Sequence, residues 1–131
     1  MKKLSLYVFL VLLFCGNTIA DSKDRDDKLN QLFEQLKKSN NSSIALEIEM
    51  KIWNIWSIHP SNDRRGYRLT ELLAQGSFLM AKEELNKAYE IFSQIILVDP
   101  NWPEAWNKRA TVLYMLGRYQ VSQEDINEVL K

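Results

Sequence analysis

The apolar positions between Leu72 and Leu130 form one pattern written twice, at the constant offset that carries Leu72 to Trp106. At that offset Leu79 recurs as Leu113, Leu85 as Tyr119, Phe92 as Ile126, Ile95 as Val129 and Ile96 as Leu130. The small positions recur with them, Gly76 as Ala110 and Ala88 as Ser122. Large answers large and small answers small, so each unit carries packing stripes and a notch that lets a second helix approach. A fixed period of about 34 residues is the signature of stacked helix pairs. It predicts helices near 66–81, 84–98, 103–116 and 119–130. Gly117 follows an apolar run, where a left-handed residue ends a helix most easily. Asp99-Pro100-Asn101 stops one helix, and Pro103 falls in the first turn of the next, where a missing N–H costs little.

The N-terminal half is less regular. Leu29, Leu32, Phe33 and Leu36 share one helical face, predicting a helix near 26–38. Ser39 to Ser43 breaks the run and offers N-caps. From Ile44 to Ile58 two periods compete. Ile44, Leu46, Ile48, Met50 and Ile52 alternate as in a strand, while Ile44, Ile48, Ile52 and Ile55 make a helical stripe. Length and propensity favour a helix near 43–58, ending before His59-Pro60 because proline disfavours helix in the residue before it. A longer offset, the one that carries Leu32 to Leu72, also aligns Ile48 with Ala88, Ile52 with Phe92 and Pro60 with Pro100. The first pair therefore reads as a degenerate third unit, with Leu36 and Ile48 where small residues belong and the extra residues in the loop Ser61–Tyr67.

Trp106-x2-Arg109-Ala110-x2-Leu113, Leu116-Gly117-Arg118-Tyr119-x2-Ser122, Ala88-x3-Phe92 and Asp99-Pro100-Asn101 together resemble the tetratricopeptide repeat (TPR) family. The stretch Trp106 to Tyr119 looks like the repeat of small exported bacterial TPR-like proteins. The resemblance implies an all-α fold, antiparallel helix pairs stacked as a short α-solenoid of about three repeats, the first degenerate. The expected organisation is a signal peptide (1–20), a charged lead-in (21–28), a degenerate pair plus loop (29–68), one repeat (69–102) and a last, incomplete repeat (103–131).

The resemblance also implies a concave, protein-binding face lined by the first helix of each pair. On the family's positions this face holds Thr70, Leu73, Ser77, Met80 and Ala81 in one repeat. In the next it holds Glu104, Asn107, Thr111, Tyr114 and Met115, with Lys108 beside Asn107 as the nearest approach to a carboxylate clamp. Such a groove is mildly apolar, with hydroxyl and amide donors. Trp106, matching Leu72, is expected between the paired helices as a core anchor. Arg109 stands where the family has a core Leu; it either pairs with Glu124, Asp125 or Glu128, or runs its stem along the surface. A repeat buries its apolar face only against a neighbour, so an open face at Leu113, Leu116, Ile126, Val129 and Leu130 is expected to need covering in trans.

Charge and chemistry narrow the function class. The chain has 17 basic and 17 acidic residues; the balance is a poor match to a nucleic-acid binder, which needs a basic face. Lys2-Lys3, the apolar run Leu4 to Phe14 and Thr18-Ile19-Ala20 read as a signal segment cleaved before Asp21. Cleavage would remove Cys15, leaving no thiol or disulfide chemistry. The lone His59 lacks metal-ligating partners, and no Ser–His–acid set, phosphate loop or Cys pair is present. The tryptophans Trp53, Trp56, Trp102 and Trp106 fall at packing and turn sites. The expectation is an exported, periplasmic or secreted, non-enzymatic adaptor that binds a protein or peptide. It is expected to use no cofactor or metal and to contact neither nucleic acid nor, after signal cleavage, membrane. The alternative is a self-associating helical module, a homo-oligomer through its C-terminal end.

Overall fold

The computed structural model describes residues 22–131, which are all-α, with no strand among them. The signal segment expected at 1–20 lies outside the described residues. The helices are α1 (22–38), α2 (Ser42–Trp56), α3 (Arg64–Ala81), α4 (Leu85–Val98), α5 (Pro103–Met115) and α6 (Tyr119–Val129). They form two compact units. The first holds α1, α2 and Pro60–Asn62, and the second holds Ser57–His59 and Asp63–Lys131.

In the first unit α1 already includes residues 22–28, so the charged stretch forms opening turns of the helix rather than a separate lead-in. Asn41 caps α2: its side-chain oxygen accepts from the backbone N–H groups of Ser43 at 2.9 Å and Ile44 at 3.2 Å, satisfying donors that the helix leaves open. The competition between periods resolves as helix. Ile48 and Ile52 are buried on one helical stripe, whereas Ile44, Leu46 and Met50 are exposed. Leu32, Ile48 and Ile52 form the core, with Leu29, Phe33, Leu36, Ile55 and Trp56 against it. Arg25, near the start of α1, donates to the carbonyl of Ile55, near the end of α2, so the pair is antiparallel.

In the second unit α3 packs on α4, α4 on α5 and α5 on α6, and α3 also lies beside α5. Asp63 caps α3 by accepting from Gly66 N at 2.7 Å. Arg65 at its start donates to the carbonyl of Val98 at the end of α4, again an antiparallel pair. The core joins Leu69 and Leu73 of α3, Ala88, Phe92, Ile95 and Ile96 of α4, and Ala105 and Val112 of α5 with Trp102. Gly76 has a direct packing reason. A Cβ there would lie 2.5 Å from the Phe92 ring, a ring that is fully buried and has little room to retreat.

The repeat period is visible bond by bond at the turns. Glu83 N donates to Met80 O and Glu84 N to Leu79 O; one period on, Gly117 N donates to Tyr114 O and Arg118 N to Leu113 O. Both turns place one residue in the left-handed region, Glu83 at φ 60° and Gly117 at φ 75°. This is the C-terminal cap that uses leftover helix carbonyls. Only the second turn has the residue that enters that region without Cβ strain.

Candidate functional site

The expected groove residues lie on α3 and α5, neighbours in the second unit, but two of them are not surface residues. Leu73 is 1% exposed and Glu104 6% exposed. Leu73 belongs to the core, and its place as a groove contact is corrected. This position of the repeat points inward because α3 is covered by both α4 and α5. Glu104 is corrected likewise: it is buried, with Asn107 Nδ2 3.4 Å from one carboxylate oxygen and Lys108 Nζ 3.6 Å from the other. Burial pushes its carboxyl above the usual range, opposed by Lys108 and Asn107. Asn107 and Lys108, the nearest approach to a carboxylate clamp, therefore already face a carboxylate of their own helix.

The remaining residues define the accessible surface. Thr111, Tyr114 and Met115 are exposed, as is Ala81, while Thr70, Ser77, Met80, Asn107 and Lys108 are half-buried. The expected hydroxyl donors are largely engaged. Thr70 Oγ1 donates to Gly66 O at 3.0 Å and also accepts from His59 N; Thr111 Oγ1 donates to Asn107 O at 3.0 Å. The surface is thus less polar in character than its residue types suggest. Met80, Met115 and Tyr114 supply adaptable apolar contact, and Tyr114 stacks edgewise on Tyr119 with ring centroids 5.0 Å apart. Thr111 and Tyr114 also line a cleft with α6, shared with Ala110, Tyr119, Ser122, Gln123 and Ile126.

Two polar constructions hold the surrounding scaffold. Arg109 pairs with Asp125, the acid on α6, through Nε at 2.7 Å and Nη2 at 2.8 Å. It also donates to Ser93 of α4 at 3.2 Å and lies over the rings of Trp106 and Tyr89, 5.0 and 5.6 Å from their centroids. Of the two fates open to Arg109, pairing is the one observed. The hydrogen bonds with Asp125 raise its pKa while burial opposes them; a fork-to-carboxylate pair of this kind fixes geometry as well as charge. Trp106 is corrected by the same contacts. It is half-buried beside the core, its indole N–H bonded to Pro100 O at 2.8 Å, rather than enclosed as a core anchor.

The second construction centres on His59, which the sequence placed only at a helix end. Its ring is buried, with Nε2 2.8 Å from Asp99 Oδ2 and an edgewise contact to Trp102 at 4.9 Å. The other Asp99 oxygen accepts from Asn101 N at 3.1 Å. Histidine therefore braces the α4–α5 turn from a distant point in the sequence. No local signal in the chain could have found a pairing of that range.

Among the described residues there is no group of three or more His, Cys, Asp or Glu side chains placed to hold a metal ion. No helix among them is long and apolar enough to cross a membrane.

Comparison with known proteins agrees with the repeat. A TPR repeat-containing protein of Rhizobium etli is 33% identical over 114 residues, covering 83% of this chain and 51% of the relative. Tetratricopeptide repeat protein 36 of Caenorhabditis elegans is 30% identical over 103 residues, covering 78% of this chain and 53% of the relative. The chain spans about half the length of these curated relatives. No family model matches it, and no solved structure does. Repeat period, helix-pair packing and both relatives make this a TPR-like protein.

Proposed function

We propose that the chain is an exported adaptor that binds a peptide or protein segment on the accessible faces of α3 and α5, without catalysis of its own. The observation that carries the reading is the half-open surface made by Ser77, Met80, Asn107, Thr111, Tyr114 and Met115 on two neighbouring helices. Asn107 and Thr111 already donate within their own helix, while the Met115 thioether and the Tyr114 phenol are exposed. Such a surface suits an apolar segment better than a charged one. Export rests on Lys2-Lys3, the run Leu4 to Phe14 and the Thr18-x-Ala20 site. N-terminal sequencing from the native host should find Asp21; an intact Met1 or a lipid-modified Cys15 would reject it.

Binding is tested by capture from an envelope fraction with the wild-type chain and with a Ser77→Arg, Asn107→Arg variant. A species held by the first and lost by the second supports the reading; equal capture by both rejects it. A second reading, self-association through α6, is favoured by the exposure of Tyr119, Val121 and Leu130. Sedimentation across a wide concentration range separates the two.

A further inference from the structure

We propose that Glu104 receives an arginine of the bound segment, whose guanidinium takes the place that the Lys108 ammonium now holds. The proposal rests on the α3–α5 face being the binding surface and adds the chemistry of one ligand residue. Glu104 is 6% exposed. A carboxylate held by charged donors makes bonds of about 2.7–2.9 Å. Glu104 has none of that length. Asn107 Nδ2 stands 3.4 Å from Oε2 and Lys108 Nζ 3.6 Å from Oε1. Oε1 is buried and accepts no hydrogen bond among the described residues. A buried acceptor in that state is costly until a donor reaches it.

The chain closes such pairs elsewhere. Glu47 and Lys51 have the same four-residue spacing on one helix, and they meet at 2.6 Å although both are mostly exposed. One residue after Lys108, Arg109 grips Asp125 with bonds of 2.7 and 2.8 Å. The Glu104–Lys108 pair is the loose one. Nearby donors point elsewhere. Thr70 Oγ1 donates to Gly66 O and Thr111 Oγ1 to Asn107 O. Arg65 of α3 donates to Val98 O, Lys87 of α4 pairs with Glu84, and His59 bonds Asp99 at the α4–α5 turn. An acid in the first turn of α5 does complement the helix dipole, but an exposed acid would do so without the cost of burial.

The site is reachable. The Lys108 side chain is 22% exposed, so its ammonium marks a path from solvent to Oε1, and its long stem lets it swing aside. Both carboxylate oxygens lack a short partner. A planar guanidinium supplies two parallel N–H groups, whereas an ammonium is a point donor. Arginine is therefore preferred over lysine. Met80, Tyr114 and Met115 complete the face, so the preferred segment is apolar with one arginine. Burial holds the Glu104 carboxyl above its usual range, opposed by Lys108 and Asn107. Acid that protonates it removes the charge that the guanidinium seeks, so arginine binding weakens as pH falls through the folded pKa.

The test uses immobilised heptapeptides with Leu, Phe, Met and Ala flanks and Arg, Lys, Gln or Glu at the centre. At about pH 7.5 the wild-type chain should retain the Arg-centred peptides at least tenfold better than the Gln-centred ones, with Lys between. Glu104→Gln keeps the shape and removes the charge, and should cut that preference to under twofold while the Gln-centred peptides are still held. Lys108→Met removes the internal competitor and should raise retention of the Arg-centred peptides. Binding blind to the central residue overturns the proposal, as does an Arg preference that survives Glu104→Gln or a loss with Lys108→Met. All three leave the adaptor reading standing. Thr111→Arg with Met115→Arg, at two exposed positions of the same face, should abolish retention of every peptide. If no peptide is held, or that double variant changes nothing, the adaptor reading fails and the proposal with it. Should Glu104→Gln not fold, the wild-type chain decides: an Arg preference undiminished at about pH 4 overturns the proposal.

Discussion

The repeats at 69–102 and 103–131 share a pattern and differ in how deeply they bury it. Phe92 is 0% exposed, while its counterpart Ile126 is only half-buried. Ile96 is buried, while its counterpart Leu130 is 77% exposed. The cause is neighbours rather than residue type. Helix α4 is held between α3 and α5, whereas α5 is the principal neighbour of α6 among the described residues. The two pairs are consequently tied together in different ways. The α3–α4 pair closes by pressing Phe92 onto the bare backbone of Gly76. The α5–α6 pair relies more on polar ties, the fork from Arg109 to Asp125 and the bond from Ser122 to Ala110 O. A helix with apolar cover on one side only gains less from burial, so directed bonds carry a larger share of its attachment.

That contrast is sharpened first by matched truncations. Phe92→Ala should cost about 3–5 kcal/mol, the usual loss for a fully buried aromatic. Ile126→Ala should cost less than half as much. Urea melts of both variants measure the difference, and equal losses would show that α6 is covered as fully as α4.

Next in size is the ion pair. Asp125→Ala leaves a largely buried guanidinium without its carboxylate and should cost about 3 kcal/mol. Adding Arg109→Leu should recover part of that loss, because the stranded charge goes with it. If the double variant is the less stable of the two, the stacking of Arg109 on Trp106 and Tyr89 matters more than the pair.

The turns come third, with opposite signs. Glu83→Gly should stabilise by about 0.5–1 kcal/mol and Gly117→Ala should destabilise by about 1 kcal/mol, since each changes the strain of a left-handed residue. Thermal melts in which the two shifts have the same sign would contradict the equivalence of the turns.

The smallest effect depends on pH. Burial raises the pKa of Glu104 in the folded chain, so the native state holds that proton more tightly than the unfolded one. The contribution is present below the unfolded pKa and lost as pH rises through the folded one. Glu104→Gln should therefore melt close to wild type at about pH 3 and slightly higher than wild type at about pH 7. A gap that does not widen with pH would show that the side chain is solvated.

Sequence by itself determined the helices, their pairing and the scaffold class. The repeat period, the small residues at Gly76 and Ala110 and the punctuation at Pro103 and Gly117 are local signals, and local signals survive without a fold. Even the ambiguous 44–58 run was settled by length, and α2 agrees. Tertiary structure alone decided what each side chain faces. Leu73 and Glu104 occupy positions that a repeat template assigns to a surface, yet neighbouring helices bury both. Trp106 occupies a core position and is only half covered. His59 meets Asp99, and Arg109 meets Ser93, across separations that no period encodes, and of the three acids the sequence offered Arg109 the fold selects Asp125. Periodicity records which residues lie on the same stripe of a helix. Burial and pairing depend on which second helix covers that stripe, and that is set only when the whole chain has packed.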